Sequence, residues 1–577
     1  MTENVDVANN NEQRDNRQSG EKDNQSDMNT LPTEDQIELE ANSKIIRLAR
    51  PEYRMFGHLA GMFSIISLLY SMGRIIKDAA VLSKQHQSSI FGLKILILFL
   101  SVFVMGFIQK GLMKHPLTKI FTVILFIFAF IFLALGLLFL PFSSYIQPDF
   151  FWARKLFADG KFKVRGLDSY CPIILIYNEW TSSLVYIACE MFGSLILSYL
   201  FMTFANSICT PLQSARFVPL LYILSNVSLL LSGVLSNSYN NYRNTIDYEK
   251  SSLYNNAFFV VSGVLILIIW LLKYRLENSV LSRPVFIKKS TKKKGPKVKV
   301  GFVEGIVEMG KSKLLLNISL TVLFYAISTN LIESSYKSSL SAGAAHFGEE
   351  KSSYSTFYNS WEQIFVGIAV IVILLSPFPK LIQKKGWITV AIWSPIFTLI
   401  SAVCVFGLAF YNFPYNQNGE KNIFFKSFGA VGGKKPEIKL ENILGAFAVG
   451  LMKVHKYAAF DITKEAISMQ IDSSVRARYK GIFDGVFGKL GKSVGSFYGS
   501  IMTGLFNTRD IRRTVPIGGS LVILNCFIWF FCVFYLHRKY TESVVNNAPI
   551  DVDLFGQEKK VGQTPSEEPE KTVKTEV

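Results

Sequence analysis

Charged side chains stand inside two long apolar segments of this sequence. The first segment contains Arg74, Lys77 and Asp78, and a later one contains Glu333 and Lys337. A charge at the centre of a membrane helix costs about 2.5–3.5 kcal/mol by insertion scales, so such residues tend to mark the path of a substrate or ion. Because cations dominate these positions, they indicate a membrane protein that handles an anion.

Both groups also have a simpler interpretation. The cluster at 74–78 could lie at a helix end, where long side chains reach out to the membrane interface. Glu333 and Lys337, four residues apart, could pair with each other on one helix face. Glu190 is different, because it stands well inside another apolar segment with no partner near it in the sequence. It therefore favours a functional role.

A third group of charges follows an apolar segment nearer the C-terminus. Lys453, Lys456, Tyr457 and Lys464 fall within one stripe at 100° per residue, and Asp461 lies among them. Several amines on one stripe repel each other unless water or an anion screens them. The stripe therefore predicts either an anion site or the solvated mouth of a cavity, and the residues alone favour neither.

A glycine-rich run at 485–493 superficially resembles a phosphate-binding loop. The spacing excludes one, because Val486 stands where a glycine is required five positions before Gly491, and no soluble strand–loop–helix unit surrounds it. Glycines repeat every four residues over 491–499, which predicts close packing of a helix instead. Lys492 would then lie at one end of that helix, able to face a central cavity.

The composition is typical of a membrane protein with several spans. Half of the residues are hydrophobic, 14% are aromatic and the mean hydropathy is +0.28, yet the net charge is +18. Long apolar stretches alternate with charged loops, whereas a soluble domain would spread its apolar residues more evenly. The six cysteines lie in or next to apolar segments and form no ligand cluster, so they are expected to be small core residues.

Hydropathy predicts six spans on each side of a basic connector. The spans are at 56–82, 90–111, 118–141, 175–208, 214–236 and 255–273, and then at 314–337, 355–377, 386–411, 441–465, 483–507 and 516–537. Lysine and arginine crowd the connector, which is therefore expected to be cytoplasmic, and an even number of spans on either side makes both termini cytoplasmic.

The two halves of the chain indicate a duplication. Aligning Leu69-Tyr70 with Phe324-Tyr325 places Asp78 on Glu333. The sequence thus predicts an all-α membrane protein of twelve transmembrane helices in two six-helix halves, major-facilitator-like, with its substrate site between the halves near the midplane. The expected divisions are a disordered cytoplasmic tail at 1–50, helical bundles at 51–273 and 313–540, a basic cytoplasmic linker at 274–312, and a disordered cytoplasmic tail at 541–577.

Five segments carry a resemblance to a known family. They read RIIKD at 74–78, YIACEMF at 186–192, NLIESSYK at 330–337, KYAAFDITKE at 456–465 and DGVFGKLGKS at 484–493. Over about residues 50–540 the chain resembles the nucleotide transporters, or ATP/ADP translocases, of plastids, obligate intracellular bacteria and microsporidian parasites.

This resemblance implies a membrane carrier for ATP and ADP that does not hydrolyse ATP. It also implies that Lys77, Glu190, Glu333 and Lys464 occupy the charged positions that matter for transport. Six further residues are expected to complete the substrate site: Arg74, Asp78, Lys337, Lys456, Asp461 and Lys492. Within such a site the cations would neutralise phosphates, and the carboxylates would bind ribose hydroxyls, pair with lysines or carry a proton.

The polar, acidic start of the chain is not expected to be a cleavable signal peptide or a transit peptide, so the first span is expected to direct insertion. Together with an Asn-, Lys- and Ile-rich composition, this favours a microsporidian member in the parasite plasma membrane that imports host nucleotides. The expected partners are ATP, ADP, other nucleotides and the lipid bilayer, without nucleic acid, cofactor or a required oligomer.

Two other classes of protein compete with this interpretation. A major-facilitator-type carrier for another organic or inorganic anion would fit the cations equally well without the five segments. A multi-span enzyme would need an acid and a base positioned together. His86, His115, His346 and His455 lie in different regions with no catalytic spacing, so the chain is not expected to be an enzyme.

Overall fold

The computed structural model of the protein is almost entirely helical in the part of the chain it describes. That part comprises residues 37, 39–40, 48–148, 150–153, 170–281, 310–376, 378, 385–413, 436–471, 483, 487–546 and 550. Most of each predicted tail and of the predicted linker lies outside the described residues, as do positions 484–486 of the glycine-rich run.

Twelve long helices form the body of the described chain. The first six are α1 (Tyr53–Lys84), α2 (Ser89–Lys114), α3 (Leu117–Phe139), α4 (Trp180–Ile208), α5 (Pro211–Arg243) and α6 (Lys250–Val280). The second six are α7 (Lys313–Phe347), α8 (Lys351–Leu375), α9 (Trp387–Asn412), α10 (Ile438–Met469), α11 (Gly488–Leu505) and α12 (Val515–Asn546). Each overlaps one of the predicted spans.

Eleven helices of the described chain are long and apolar enough to cross a membrane. The helix that is not among them is α11, which has only 18 residues and carries four glycines within Gly488–Gly499. A multi-pass, all-α membrane protein is therefore confirmed, whereas the number of twelve membrane crossings stays a prediction.

Corresponding helices pack alike in the two halves. In the first half α1 contacts α4, α5 and α6, and in the second half α7 contacts α10, α11 and α12. The halves meet along α5 with α8 and along α2 with α11. The helix α2 corresponds to α8, and α5 corresponds to α11. Exchanging the two halves therefore converts one of these contacts into the other. This is the arrangement expected of a duplicated six-helix unit.

Glycines bring α11 into close contact with its neighbours, as the sequence predicted. A Cβ atom on Gly491 would lie 2.6 Å from the Cβ of Ala326 and 2.8 Å from the backbone oxygen of Leu323 on α7. One and two turns later, Gly495 packs against Asn330 of α7 and Gly499 against the ring of Phe91 on α2. The glycine stripe therefore holds α11 against both halves at once.

Two helices widen into π-helical turns beside charged residues. In α4 the π segment is Gly193–Phe201, which begins three residues after Glu190, and the ring of Tyr70 occupies the space that a side chain on Gly193 would need. In α10 the π segment is Lys456–Phe460, just before Asp461. Such segments often occur at functional sites. Here the second one changes the phase of the predicted lysine stripe.

Polar contacts close the seam between the halves at the end where α5 finishes and α8 begins. Arg243 pairs with Glu350 at 2.8 Å, and the Asn240 side-chain amide donates to the backbone oxygen of Ser353 at 3.2 Å. We refer to this end, defined by these four residues, as the sealed end. The two halves are thus tied together at one side of the membrane.

His86 lies in the connection between α1 and α2. Burial, together with the charges of Lys351 and Arg509, lowers the pKa of His86 to about 3. The ring is therefore neutral at pH 7 and adds no further charge beside those two cations.

The seam between α7 and α11 leads to a stability prediction. Gly491→Ala should destabilise the protein by about 1–3 kcal/mol, because its methyl group would press on backbone atoms of α7 that cannot move aside. The measurement is the thermal unfolding midpoint of purified protein in detergent. Gly407→Ala on α9 is the matched control, because nothing lies within 4 Å of a Cβ there. Equal midpoints for the two variants would contradict this account of the seam.

Candidate functional site

Charged residues of five helices form a set of ion pairs where the two halves meet, and one of these pairs joins the halves. They come from α1 and α4 of the first half and from α7, α8 and α10 of the second. Helices far apart in sequence thus place opposite charges side by side within the apolar body. A buried charge is tolerated only when it is paired in this way or hydrogen-bonded.

In the first half, Lys77 of α1 forms an ion pair with Glu190 of α4. The ammonium group also lies 4.5 Å from the ring centroid of Tyr186, one turn before Glu190. Gly73, one turn before Lys77, packs against Cys189, which allows the two helices to approach. The sequence analysis offered pairing with a lysine of the site as one role of Glu190, without naming which lysine.

The halves are joined by an ion pair between Asp78 of α1 and Lys337 of α7. The Lys337 ammonium lies 2.8 Å from Asp78, and the two side chains are only 9% and 7% exposed. Lys337 also lies 3.4 Å from Glu333 on its own helix. The pairing of Glu333 with Lys337 along one helix face is therefore present, but Lys337 has a closer partner across the interface.

The chain of charges continues from α7 to α10 and α8. Glu333 lies 3.9 Å from Lys453, whose ammonium lies 2.5 Å from Glu362. We hypothesise that Glu333 pairs in at least one state with a lysine across the cavity, namely Lys77, Lys464 or Lys492. In this structure its partners are Lys337 and Lys453, both in its own half.

Glu362 is a site residue that the sequence analysis missed. It is a buried carboxylate within the predicted span at 355–377, so the argument that singled out Glu190 would have found it as well. The next residue, Gln363, donates to the backbone oxygen of Ser71 on α1 at 3.1 Å and accepts from Ser232 of α5 at 2.6 Å. These bonds hold this part of α8 against the first half.

A separate group of charges lies on α10, within and just after its π segment. Asp461 stands between Lys464 at 3.4 Å and Lys456 at 3.7 Å. Lys453, which the sequence placed on the same stripe, instead faces Glu362 of α8. The predicted stripe thus divides into a central part and an outer, more exposed part.

Some cations of this region form no ion pair with a carboxylate within the described residues. Among them are Arg74, Lys492 and Lys94, the last of which the sequence analysis did not select. Lys94 donates to the side-chain oxygen of Asn330 at 2.7 Å, and Lys492 is exposed. Basic groups therefore exceed carboxylates in this region, and the region can receive an anion.

The described residues contain no group of three His, Cys, Asp or Glu side chains arranged to hold a metal ion. The excess of cations allows the site to bind a polyanion reversibly, with phosphate oxygens taking the place of carboxylates as partners of the lysines.

Comparisons with known proteins agree with this geometry. The family model described as TLC ATP/ADP transporter matches residues 34–540. "ADP,ATP carrier protein 1" of Encephalitozoon cuniculi (strain GB-M1) is 38% identical over 544 residues, which cover 93% of this chain and 96% of that protein. "ADP,ATP carrier protein 3" of the same organism is 34% identical and covers 91% of this chain and 97% of its own length.

Among solved structures, a bacterial homologue of the iron transporter ferroportin in an inward-facing state has a TM-score of 0.50 with 13% sequence identity. The alignment covers 82% of this chain and 98% of that one. At this identity the likeness concerns the fold alone, and it confirms the predicted major-facilitator-like architecture.

The ion pair between the halves leads to a second prediction. Lys337→Met should lower the thermal midpoint strongly, because removing one partner of a buried pair costs about 3–5 kcal/mol. Adding Asp78→Asn to Lys337→Met should restore part of the loss, since the carboxylate left without a cation is then neutral. Thermal unfolding of the single and double variants in detergent measures both effects. A double variant less stable than Lys337→Met would contradict the pairing.

Proposed function

We propose that this chain, which belongs to the TLC ATP/ADP transporter family, carries ATP and ADP across a membrane by alternating access between its two halves. The observation that supports this most directly is the position of the charges. Paired lysines and unpaired cations meet where α1, α4, α7, α8 and α10 face one another. A site between the halves becomes accessible from either side when the halves rock.

The substrate phosphates are proposed to bind Lys77 and Lys464, with help from Arg74, Lys337 and Lys492. ATP carries about four negative charges, and removing its phosphates from water is prohibitive without compensating cations. In this structure a carboxylate lies against both proposed anchors: Glu190 against Lys77, and Asp461 against Lys464. Lys456, beside Asp461, extends the proposed site toward the more exposed end.

Exchange of partners is the proposed mechanism. When a phosphate binds the ammonium group of Lys77 in place of Glu190, the Glu190 carboxylate becomes available to bind a ribose hydroxyl or a proton. The same argument applies to Glu333, which lies between Lys337 and Lys453. An empty carrier with its charges paired can remain folded in the membrane, whereas a loaded one has exchanged these pairs for contacts with the nucleotide.

The proposed orientation places both termini and the 274–312 linker in the cytoplasm, because the linker is crowded with lysine and arginine. The proposed units are the bundles at 51–273 and 313–540 with cytoplasmic tails at 1–50 and 541–577. The sealed end then faces outward.

The proposed location is the plasma membrane of an intracellular microsporidian parasite. The similar carrier proteins come from Encephalitozoon, and a carrier at the parasite surface would meet nucleotides of the host cytoplasm. Import of host nucleotides by this carrier needs no ATP hydrolysis, so the chain is a transporter and not an enzyme.

The proposed phosphate anchors lead to a third prediction. Lys77→Gln and Lys464→Gln should each abolish most uptake of labelled ATP by bacterial cells expressing the protein, because the phosphate loses its cation. Surface expression should remain. Arginine at either position should rescue only part of the uptake, since its planar fork binds phosphate with a different geometry.

Two results would contradict this assignment. Normal uptake by both glutamine variants would remove these lysines from the site. Competition experiments test the substrate itself: if unlabelled inorganic phosphate or a carboxylate displaces the label better than ADP, the chain carries another anion. Lys114→Met, an exposed lysine at the end of α2, is the matched control and should transport normally.

The orientation leads to a fourth prediction. In a variant without the six native cysteines, single cysteines at Lys293 and in the C-terminal tail should react with a membrane-impermeant maleimide only after cells are permeabilised. Ser144→Cys, in the exposed segment after α3, should react on intact cells. Labelling of Lys293 and the tail from opposite sides would overturn the proposed topology.

A further inference from the structure

Lys94 is a membrane-embedded lysine that no part of the proposed mechanism uses. It is the sixth residue of α2, it is half-buried, and its neighbours Leu93 and Ile97 belong to the core of the first half. Its ammonium group donates to the side-chain oxygen of Asn330 on α7 at 2.7 Å. Within the described residues it forms no ion pair with a carboxylate.

The orientation of Asn330 is determined by α11. Its amide nitrogen donates to the backbone oxygen of Lys492 and, at 3.2 Å, to the hydroxyl of Ser496. The amide fits there because Gly495 has no side chain. The amide oxygen is therefore the atom left to face Lys94.

A neutral amide oxygen is a weak partner for an ammonium group in an apolar body. An anionic acceptor adds the attraction between two full charges to the hydrogen bond, which a neutral amide oxygen does not. Lys77 and Lys337, by contrast, each have a carboxylate. Of these three lysines, Lys94 therefore gains most when an anion arrives, because it has no carboxylate to give up.

Lys94 also lies close to the central charges. It interacts electrostatically with Lys77 and Lys337 and with the carboxylates Glu190 and Glu333. A ligand whose phosphates are neutralised by Lys77 thus comes within reach of a second, uncommitted cation. The position belongs to the interface between the halves, since α2 and α7 lie on opposite sides of it.

We propose that Lys94 is a substrate-contacting residue that binds a phosphate of a nucleoside di- or triphosphate and selects for the more highly charged nucleotides. This inference rests on the proposed function of the chain as a nucleotide carrier. In the empty carrier the Asn330 amide oxygen holds the ammonium group in place. Phosphate binding exchanges this neutral acceptor for a charged one and breaks the α2–α7 hydrogen bond at the same time.

Selection by charge follows from Coulomb's law, because the attraction to one cation grows with the charge of the ligand. Removing Lys94 should therefore weaken the binding of ATP most, that of ADP less and that of AMP least. A residue that only tied α2 to α7 would change the binding of all three nucleotides by the same factor. The order of the three losses is thus the readout that separates phosphate binding from a structural role.

The experiment is a binding titration of the purified full-length carrier with ATP, ADP and AMP. Lys94→Met should raise the Kd for ATP about 10- to 100-fold, the usual range for a charge-assisted hydrogen bond, with a loss of about threefold or less for AMP. Lys114→Met, the same change on the same helix at an exposed position, should leave all three values unchanged. Lys94→Arg should recover part of the ATP affinity.

A second variant tests the inference should Lys94→Met fail to fold. Asn330→Asp replaces the amide with a carboxylate of nearly the same shape and keeps Lys94. Because the ammonium group then has a carboxylate partner, the variant should bind ATP more weakly, with a smaller loss for AMP. Equal losses of affinity for all three nucleotides in either variant, or an unchanged ATP affinity, would overturn the role of Lys94. The proposed function of the chain would not be affected by that result. A wild-type carrier that binds neither ATP nor ADP would overturn the proposed function, and this inference with it.

Discussion

The site depends on the ion pair between Asp78 and Lys337, because it is the buried contact that joins charges of the two halves. A buried ammonium group must have an anionic or polar partner, and here that partner comes from the opposite half. Lys337 also lies beside Glu333, which in turn lies beside Lys453, and Lys453 pairs with Glu362. A change at the interface therefore alters the partners of charges deep in the second half.

These charges can meet only because the helices that carry them pack closely. Gly73 brings α1 to α4 at the level of Lys77, and the glycines of α11 bring that helix against α7 at Asn330. A Cβ atom on Gly495 would lie 2.9 Å from the Asn330 amide nitrogen, so a larger residue there would push α11 away from α7. The glycines thus have no chemical part in the site, yet the distances between its charged atoms depend on them.

The excess of basic groups relates the structure to the proposed substrate. An ion-pair network that served stability alone would be expected to balance its charges, since unpaired buried ions are costly. Here Arg74 and Lys94 have no carboxylate partner within the described chain, and α10 adds further lysines at the more exposed side. A polyphosphate supplies the missing negative charge, which agrees with membership of a family of ATP/ADP transporters.

The sequence by itself determined the helices and the identity of most charged residues. The membrane spans are set by local hydropathy, and a charge within an apolar segment is visible in the sequence wherever it stands. Lys77, Glu190, Glu333 and the family resemblance could therefore all be identified from the sequence. The same test would have found Glu362 and Lys94. Only the tertiary structure decided which charges pair, because Asp78 and Lys337 are 259 residues apart and a partner depends on how distant helices pack. It also decided the split of the α10 stripe, since Lys453 pairs with Glu362 of α8 whereas Lys456 and Lys464 lie beside Asp461.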